Sequence, residues 1–392
     1  MPIDDSQLAR LRADTPACAG LIHFNNAGAS LMPTPVFDAV TAHLDLERRI
    51  GGYEAAAEAE VRLNRLYTAF AELLGADPSE IAFIENATRA WDMAFYALPL
   101  EPGDRIIVHT SEYASSYLAF LQIAKRRGIE VDVAPSDASG QIDVEALPGL
   151  VTPKTKLVNL VHVPTQGGLI NPAEAVGQFA REYGLLYFLD ACQSAGQLDL
   201  HVGRLGCHVL SGTGRKYLRG PRGTGFLYVS AEIVDELEPP FIDMRAATWT
   251  STADYELKSG ARRFENWESY VAGRVGLAAA VDYALGIGVP AIEERLVALA
   301  ATLRAKLAAI DGIEVLDQGA RLGGICTFRS EKETATALAA RLRKERINIS
   351  VTDTASARLD LEARGIDELA RASVHCFNTE DEIARFASVV SE

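Results

Sequence analysis

Lys216 stands in SGTGRKYLRGPRGTGFLYV, residues 211–229, among glycines and arginines and just ahead of an apolar, strand-like run. An amine so placed could be a phosphate clamp, a solvated surface charge or a nucleophile. Upstream, LLYFLDACQ ends an apolar run on Asp190, with Gln193 close behind. ENATR sets Asn86, Ala87 and Thr88 where a helix should open. DRIIVHTSEYASS sets Tyr113 after another apolar run, and LVNLVHVPTQGG sets Thr165 and Gln166 after a third. Ligands of open α/β sheets bind beyond the carboxyl ends of the strands, so all these residues should face one rim. Taken singly, each has a plain explanation. Asp190 and Thr88 suit helix caps, Tyr113 and His162 suit a core, and Lys216 suits a solvated surface.

Taken together they are harder to dismiss. An acid ends one buried strand, a lysine follows the next, an aromatic sits on a third loop and a helix start on a fourth. That set can hold a pyridine ring carrying an aldehyde and a phosphate, which is pyridoxal phosphate. Its chemistry needs a lysine amine to form the Schiff base and a carboxylate to keep the ring nitrogen protonated, so that the ring can accept electrons. It also needs an aromatic on the ring face and helix-start amides, hydroxyls and an arginine around the phosphate. Other glycine-rich readings fail. GTGRKY has Tyr217 where a Walker A motif needs Ser or Thr, and no GxGxxG opens a helix after an early strand.

The elements that must position these residues alternate along the middle of the chain. SEIAFI, DRIIVHT, TKLVNLVHV, LLYFLD, HVLSG and GTGFLYV read as strands, and the amphipathic stretches between the first of them read as helices. Near-continuous apolar strands separated by helices predict a mostly parallel sheet covered on both faces. Residues 34–75 read as two helices, the second running from Ala55 to Gly75. A helical region is predicted over 270–309. Beyond it short strands (IEVLD, GICTFRS, INISV, RASVHC) and helices (TALAARLRKE, EDEIARFASVV) predict an α+β unit. The expected division is a large domain over 20–275 and a small one made of 1–19 and 276–392.

The 392 residues allow two domains with full cores. A net charge of −15 argues against a nucleic-acid or anionic-membrane surface. The five cysteines have no paired spacing, so neither a disulfide framework nor a metal site is expected, and a reducing cytoplasm fits. The N-terminus lacks the order of a signal peptide, and the longest apolar stretch is broken by Asp282 and Pro290.

The motifs, in order, resemble those of the class V aminotransferase family, fold-type I pyridoxal-phosphate enzymes that include cysteine desulfurases, isopenicillin N epimerase and the ergothioneine-pathway C–S lyases. The similarity runs from HFNNAGASLMP through GGYEA, ENATRAWD, SEYASS, HVPTQGGLINP, FLDACQSAGQ, SGTGRKYLRGPRGTGFLY and RRFENWE to RASVHCFNTEDEI. It implies a large domain with a mostly parallel seven-stranded sheet, a smaller α+β domain, and a homodimer with shared active sites. Lys216 would carry the Schiff base, Asp190 would pair with the ring nitrogen, and Gln193 would bond near the phenolic oxygen. Tyr113 stands where many relatives stack a histidine on the ring. Ala87, Thr88, Thr213 and Arg215 would hold the phosphate, with Asn266 or Trp267 completing that site from the neighbouring subunit. Arg371 would grip the substrate carboxylate, a task suited to a guanidinium fork. Asn26, Ala27 and Thr165 would line the substrate pocket.

The resemblance also implies a family of reactions that begin alike. Desulfurases of the family carry a cysteine on a mobile loop before the terminal strand, and INISVTDTASARLDLEARGID has none. Cys376, beyond Arg371, reads as packing. The expected activity is therefore C–S bond cleavage by β-elimination on a cysteine conjugate or its sulfoxide, as in hercynylcysteine sulfoxide cleavage. Racemisation or epimerisation and transamination follow, with desulfuration or a non-catalytic cofactor-binding role last.

Overall fold

The computed structural model describes residues 2–392. Seven strands form the central sheet in the order Ile81–Ile84, Gly225–Val229, Val209–Thr213, Leu186–Asp190, Thr155–Val161, Arg105–His109 and Glu130–Ala134. Only Gly225–Val229 runs antiparallel to its neighbours. Six of the strands are the apolar runs expected from sequence, and most of their residues are buried, because helices cover both faces. Glu130–Ala134 was not expected. It lies at the sheet edge, half-exposed, so its acids alternate with valines and no continuous apolar run marks it.

Two expected helices are each split. The stretch predicted as one helix over 55–75 is Gly52–Glu58 and Glu60–Leu74, because Ala59 (φ −90°, ψ 7°) leaves the helical range. The region predicted over 270–309 is Val271–Ile287 and Val289–Ala308, bent by 78° at Gly288, whose φ is 93°. A left-handed glycine followed by a proline in the first turn is a natural junction between two helices. The first of the pair packs on helices Thr34–Ile50 and Glu60–Leu74. The second packs on the last helix, Glu380–Ser391, and on strands Ile313–Val315 and Ile325–Ser330. No single helix among the described residues is long and apolar enough to cross a membrane.

A second, antiparallel sheet has the order Ile313–Val315, Ile325–Ser330, Glu368–Ser373, Ser350–Asp353. The beginning of the chain joins its end. Ile22–His23 pairs in parallel with Ile347–Asn348, and Asn25 bridges Ser373. The expected strand INISV is thus two short strands, one turned to each neighbour.

Candidate active site

Asp190 is the last residue of its strand, buried, and its Oδ1 accepts the backbone N–H of Cys192 at 2.7 Å. Lys216 lies in the loop leaving the adjacent strand Val209–Thr213, and only 9% of it is exposed. Ala87 and Thr88 are the first residues of helix Ala87–Phe95. Tyr113 occupies the position before helix Ala114–Arg127. All five line one pocket, together with Thr165, Gln193, Thr213, Arg215, Asn86 and Cys192. The sheet rim expected from sequence is therefore a single cavity.

The helix start is built to receive an anion. The Asn86 side chain caps Arg89 N–H at 2.9 Å, which leaves the amides of Ala87 and Thr88 without intrahelical acceptors. Gly225, on the antiparallel strand, lets the sheet pass close by. A Cβ there would stand 2.8 Å from the Gly212 carbonyl oxygen and 3.0 Å from the Asn86 Cα. The lysine loop is held from both ends of the chain. Arg219, at φ 60°, donates to the Leu31 carbonyl (2.8 Å) and Thr15 Oγ1 (2.6 Å) and lies over the Phe377 ring. Tyr217 stacks on His375, whose Nε2 meets the Tyr217 carbonyl at 2.9 Å.

Burial sets the electrostatics. It lowers the Lys216 pKa below the ordinary lysine value, and the charges of Arg215 and Arg371 push the same way against Cys192 and Asp190. Burial raises the Asp190 pKa, opposed by the Cys192 amide and Lys216. Arg371 is buried in strand Glu368–Ser373 with its pKa lowered by burial to about 10, so it stays charged at neutral pH. Its Nε donates to Ser350 Oγ (2.9 Å) and its Nη1 to the Thr165 carbonyl (3.0 Å) and hydroxyl. No carboxylate among the described residues is paired with it.

Other expected residues sit elsewhere. The Asn26 amide is bound to the carbonyls of His23 (3.1 Å) and Ser373 (2.8 Å) and accepts Ser30 Oγ, so it ties the chain's beginning to its end rather than lining the pocket. Ala27 is buried, and its carbonyl accepts Gln193 Nε2 at 3.1 Å. Arg215 reaches the pocket wall, but its Nη1 is bonded to the Gly28 carbonyl. Asn266 and Trp267 line a separate cleft with Tyr53, Arg245, Tyr270 and Arg274. Gln166, its side chain buried and unpartnered, lines a second small cavity with Asp360 and Arg364. His162, expected to be a satisfied core residue, is buried but its Nδ1 has no partner, and burial lowers its pKa to about 3.

Sequence reasoning missed Cys192 as a wall residue, although it lies inside the DACQ motif. It also missed a buried relay beneath Tyr113. Trp91 Nε1 donates to Asn159 Oδ1 (3.0 Å), and Asn159 Nδ2 donates to Glu112 Oε2 (2.7 Å). Glu112 is the neighbour of Tyr113 and accepts its N–H at 3.1 Å. Burial raises the Glu112 pKa to about 8. A carboxyl whose pKa is higher folded than unfolded binds a proton more tightly in the folded state. Stability is then lost as pH rises from the ordinary value of 4.5 through about 8. Glu112→Gln is expected to flatten that fall. Melting temperatures measured across this range should show the variant gaining on the native protein as pH rises, and parallel curves would remove Glu112 as the cause.

The profile of the class-V aminotransferases matches residues 22–386. The chain belongs to that family. It is 31% identical to a probable cysteine desulfurase of Xylella fastidiosa over 97% of this chain and 94% of the relative. It is 28% identical to another from Methanothermobacter thermautotrophicus over 97% of each. Among solved structures, apo cysteine desulfurase from Thermococcus onnurineus NA1 superposes with a TM-score of 0.91 at 27% identity, covering 98% of this chain and 97% of that one.

The family's cofactor, pyridoxal phosphate, fits the pocket. There are free helix-start amides for a phosphate, a buried carboxylate for a ring nitrogen and a buried amine for an aldehyde. The buried Gln193 Oε1, which lacks a partner, offers an acceptor to a hydroxyl. The order of activities expected from the motifs is overturned. β-Elimination stood first and desulfuration near last, yet these relatives are named cysteine desulfurases. The motifs HVPTQGG, TGRK and RASVHCFNTE supply the Thr165–Arg371 contact and the lysine loop. Those features suit a cofactor and a carboxylate, and they do not distinguish one reaction of the family from another. The missing loop cysteine bears on where sulfur goes, not on whether the C–S bond breaks.

Proposed function

We propose that the protein is a cysteine desulfurase, taking the sulfur of free cysteine and leaving alanine, with pyridoxal phosphate as its cofactor. The observation that carries this reading is one pocket bounded by buried Lys216 and Asp190, with buried Arg371 bonded to its Thr165 wall. The curated relatives of the chain point to the same activity.

The bound cofactor supplies an aldehyde carbon for amines and a ring that accepts electrons. The rest falls to the chain's own groups. Arg371, already oriented by Ser350 and Thr165, binds the α-carboxylate of cysteine through its fork. Lys216, its pKa lowered by burial, takes the proton from Cα and delivers one at the end of the cycle. Asp190 would hold positive charge at the ring nitrogen. Ala87 and Thr88 amides, with Thr213, would hold the phosphate, and Tyr113 would lie beside the ring.

Trp267 is 52% exposed and Tyr53 78% exposed, and both border the cleft that contains Asn266. These support a homodimer in which that cleft completes the neighbouring site. Sedimentation showing only monomers at assay concentration would remove it. Five unpaired cysteines suit a reducing compartment, consistent with a cytoplasmic enzyme. The test of function is direct. Protein loaded with cofactor should convert cysteine to alanine. Cofactor binding with no alanine, whatever thiol is added, would sink the proposal.

A further inference from the structure

Taking sulfur from cysteine to leave alanine balances only if a second thiol receives it. The acceptor sulfur bonds to the substrate Sγ and the Cβ–Sγ bond breaks. Cβ keeps the electron pair and takes a proton, and the acceptor leaves as a persulfide. No other oxidant or reductant enters. The attacking species is a thiolate, so a candidate acceptor must be both accessible and ionisable.

The chain's five cysteines meet that requirement poorly. Cys207, Cys326 and Cys376 are buried in the cores, and burial raises the first to about 12 and the last to about 11. Cys18 is half-buried beside Leu11 and Phe377, its carbonyl bound by Arg12 at 3.2 Å, and it is not on the pocket wall. Cys192 is on the wall, but its amide is tied to the Asp190 carboxylate at 2.7 Å, where the cofactor ring nitrogen would bind, and burial lifts its thiol to about 12. The segment bordering the mouth offers nothing better. The Ser356 carbonyl accepts Ala114 N–H at 3.2 Å, which seats residues 354–357 beside Tyr113. Those residues are Thr, Ala, Ser and Ala, and no cysteine lies between Cys326 and Cys376. Tyr113 itself is 37% exposed, so this side of the pocket opens to solvent.

Resting on the desulfurase reading, we infer that sulfur passes directly to a thiol entering from solution past Tyr113 and Ser356, with no persulfide formed on the protein. The acceptor is thus a co-substrate.

The experiment uses cofactor-loaded protein, a fixed low concentration of cysteine and added dithiothreitol as the probe thiol. Alanine is quantified and the intact protein is weighed by mass spectrometry during turnover. Attack by an external thiolate is first order in that thiol. Ten times more dithiothreitol should therefore give about tenfold faster alanine formation below saturation, with no sulfur added to the protein mass. An alanine rate indifferent to added thiol overturns the inference. So does a stoichiometric burst of alanine with one sulfur gained at Cys192 or Cys18. Either result leaves the desulfurase reading standing. No alanine at any thiol concentration overturns both.

Discussion

Lys216→Ala is expected to lower the rate of alanine formation by on the order of 10³-fold or more, since one side chain supplies both the cofactor attachment and the proton transfer at Cα. Folding should not suffer. Lys216 is 9% exposed and its side chain makes no hydrogen bond or ion pair among the described residues, so its removal leaves no buried group newly unpaired. The two effects are read separately. Thermal melting should stay near that of the native protein, while the visible absorption of lysine-attached cofactor disappears and the cofactor is lost on dialysis. A rate within about tenfold of the native one would deny Lys216 its role.

The second large effect is expected at Arg371. Its guanidinium is buried, charged and oriented by Ser350 and Thr165, with no carboxylate paired to it among the described residues. A buried cation left without a counter-charge is costly unless an anion arrives. Arg371→Ala should reduce kcat/KM for cysteine by about 10²- to 10³-fold, the usual loss when one partner of a buried, hydrogen-bonded charge pair is removed. Most of it should appear in KM. Arg371→Lys should recover only part, because an ammonium has no planar fork. Cofactor affinity should be unchanged in both, which separates a substrate clamp from a structural strut. Weakened cofactor binding in step with kcat/KM would point to the strut.

Much of this site was legible in the sequence, because strand ends are. An apolar run that stops on an acid, as LLYFLD does, fixes both a strand and the side chain at its carboxyl end. ENATR carries its own cap in Asn86. The lysine loop announced itself by its glycines, one of which is required by the close approach of Asn86. What could not be read were contacts that depend on distant segments. Nothing near Asn26 says that its amide will be consumed by Ser373, or that Arg215 will bond to Gly28. The edge strand Glu130–Ala134 escaped because half-exposed strands do not show continuous apolar patterning. The split at Ala59 lies inside a good helix-forming run, where tertiary packing decides the break, whereas the one at Gly288 carries a local signal in its glycine and the proline that follows. The choice among reactions was least legible, since the groups that hold cofactor and carboxylate are common to all of them.

The lysine loop touches Thr15 and Leu31 on one side and His375 and Phe377 on the other. Arg371 sits in the penultimate element, and its strand bridges Asn25. In a chain growing from its N-terminus, then, Ala87 and Thr88 emerge early, but the loop that carries Lys216 gains its contacts with His375 and Phe377 only once those residues have been made. A product cut short before Arg371 is thereby expected to lack both these anchors of the loop and the buried guanidinium.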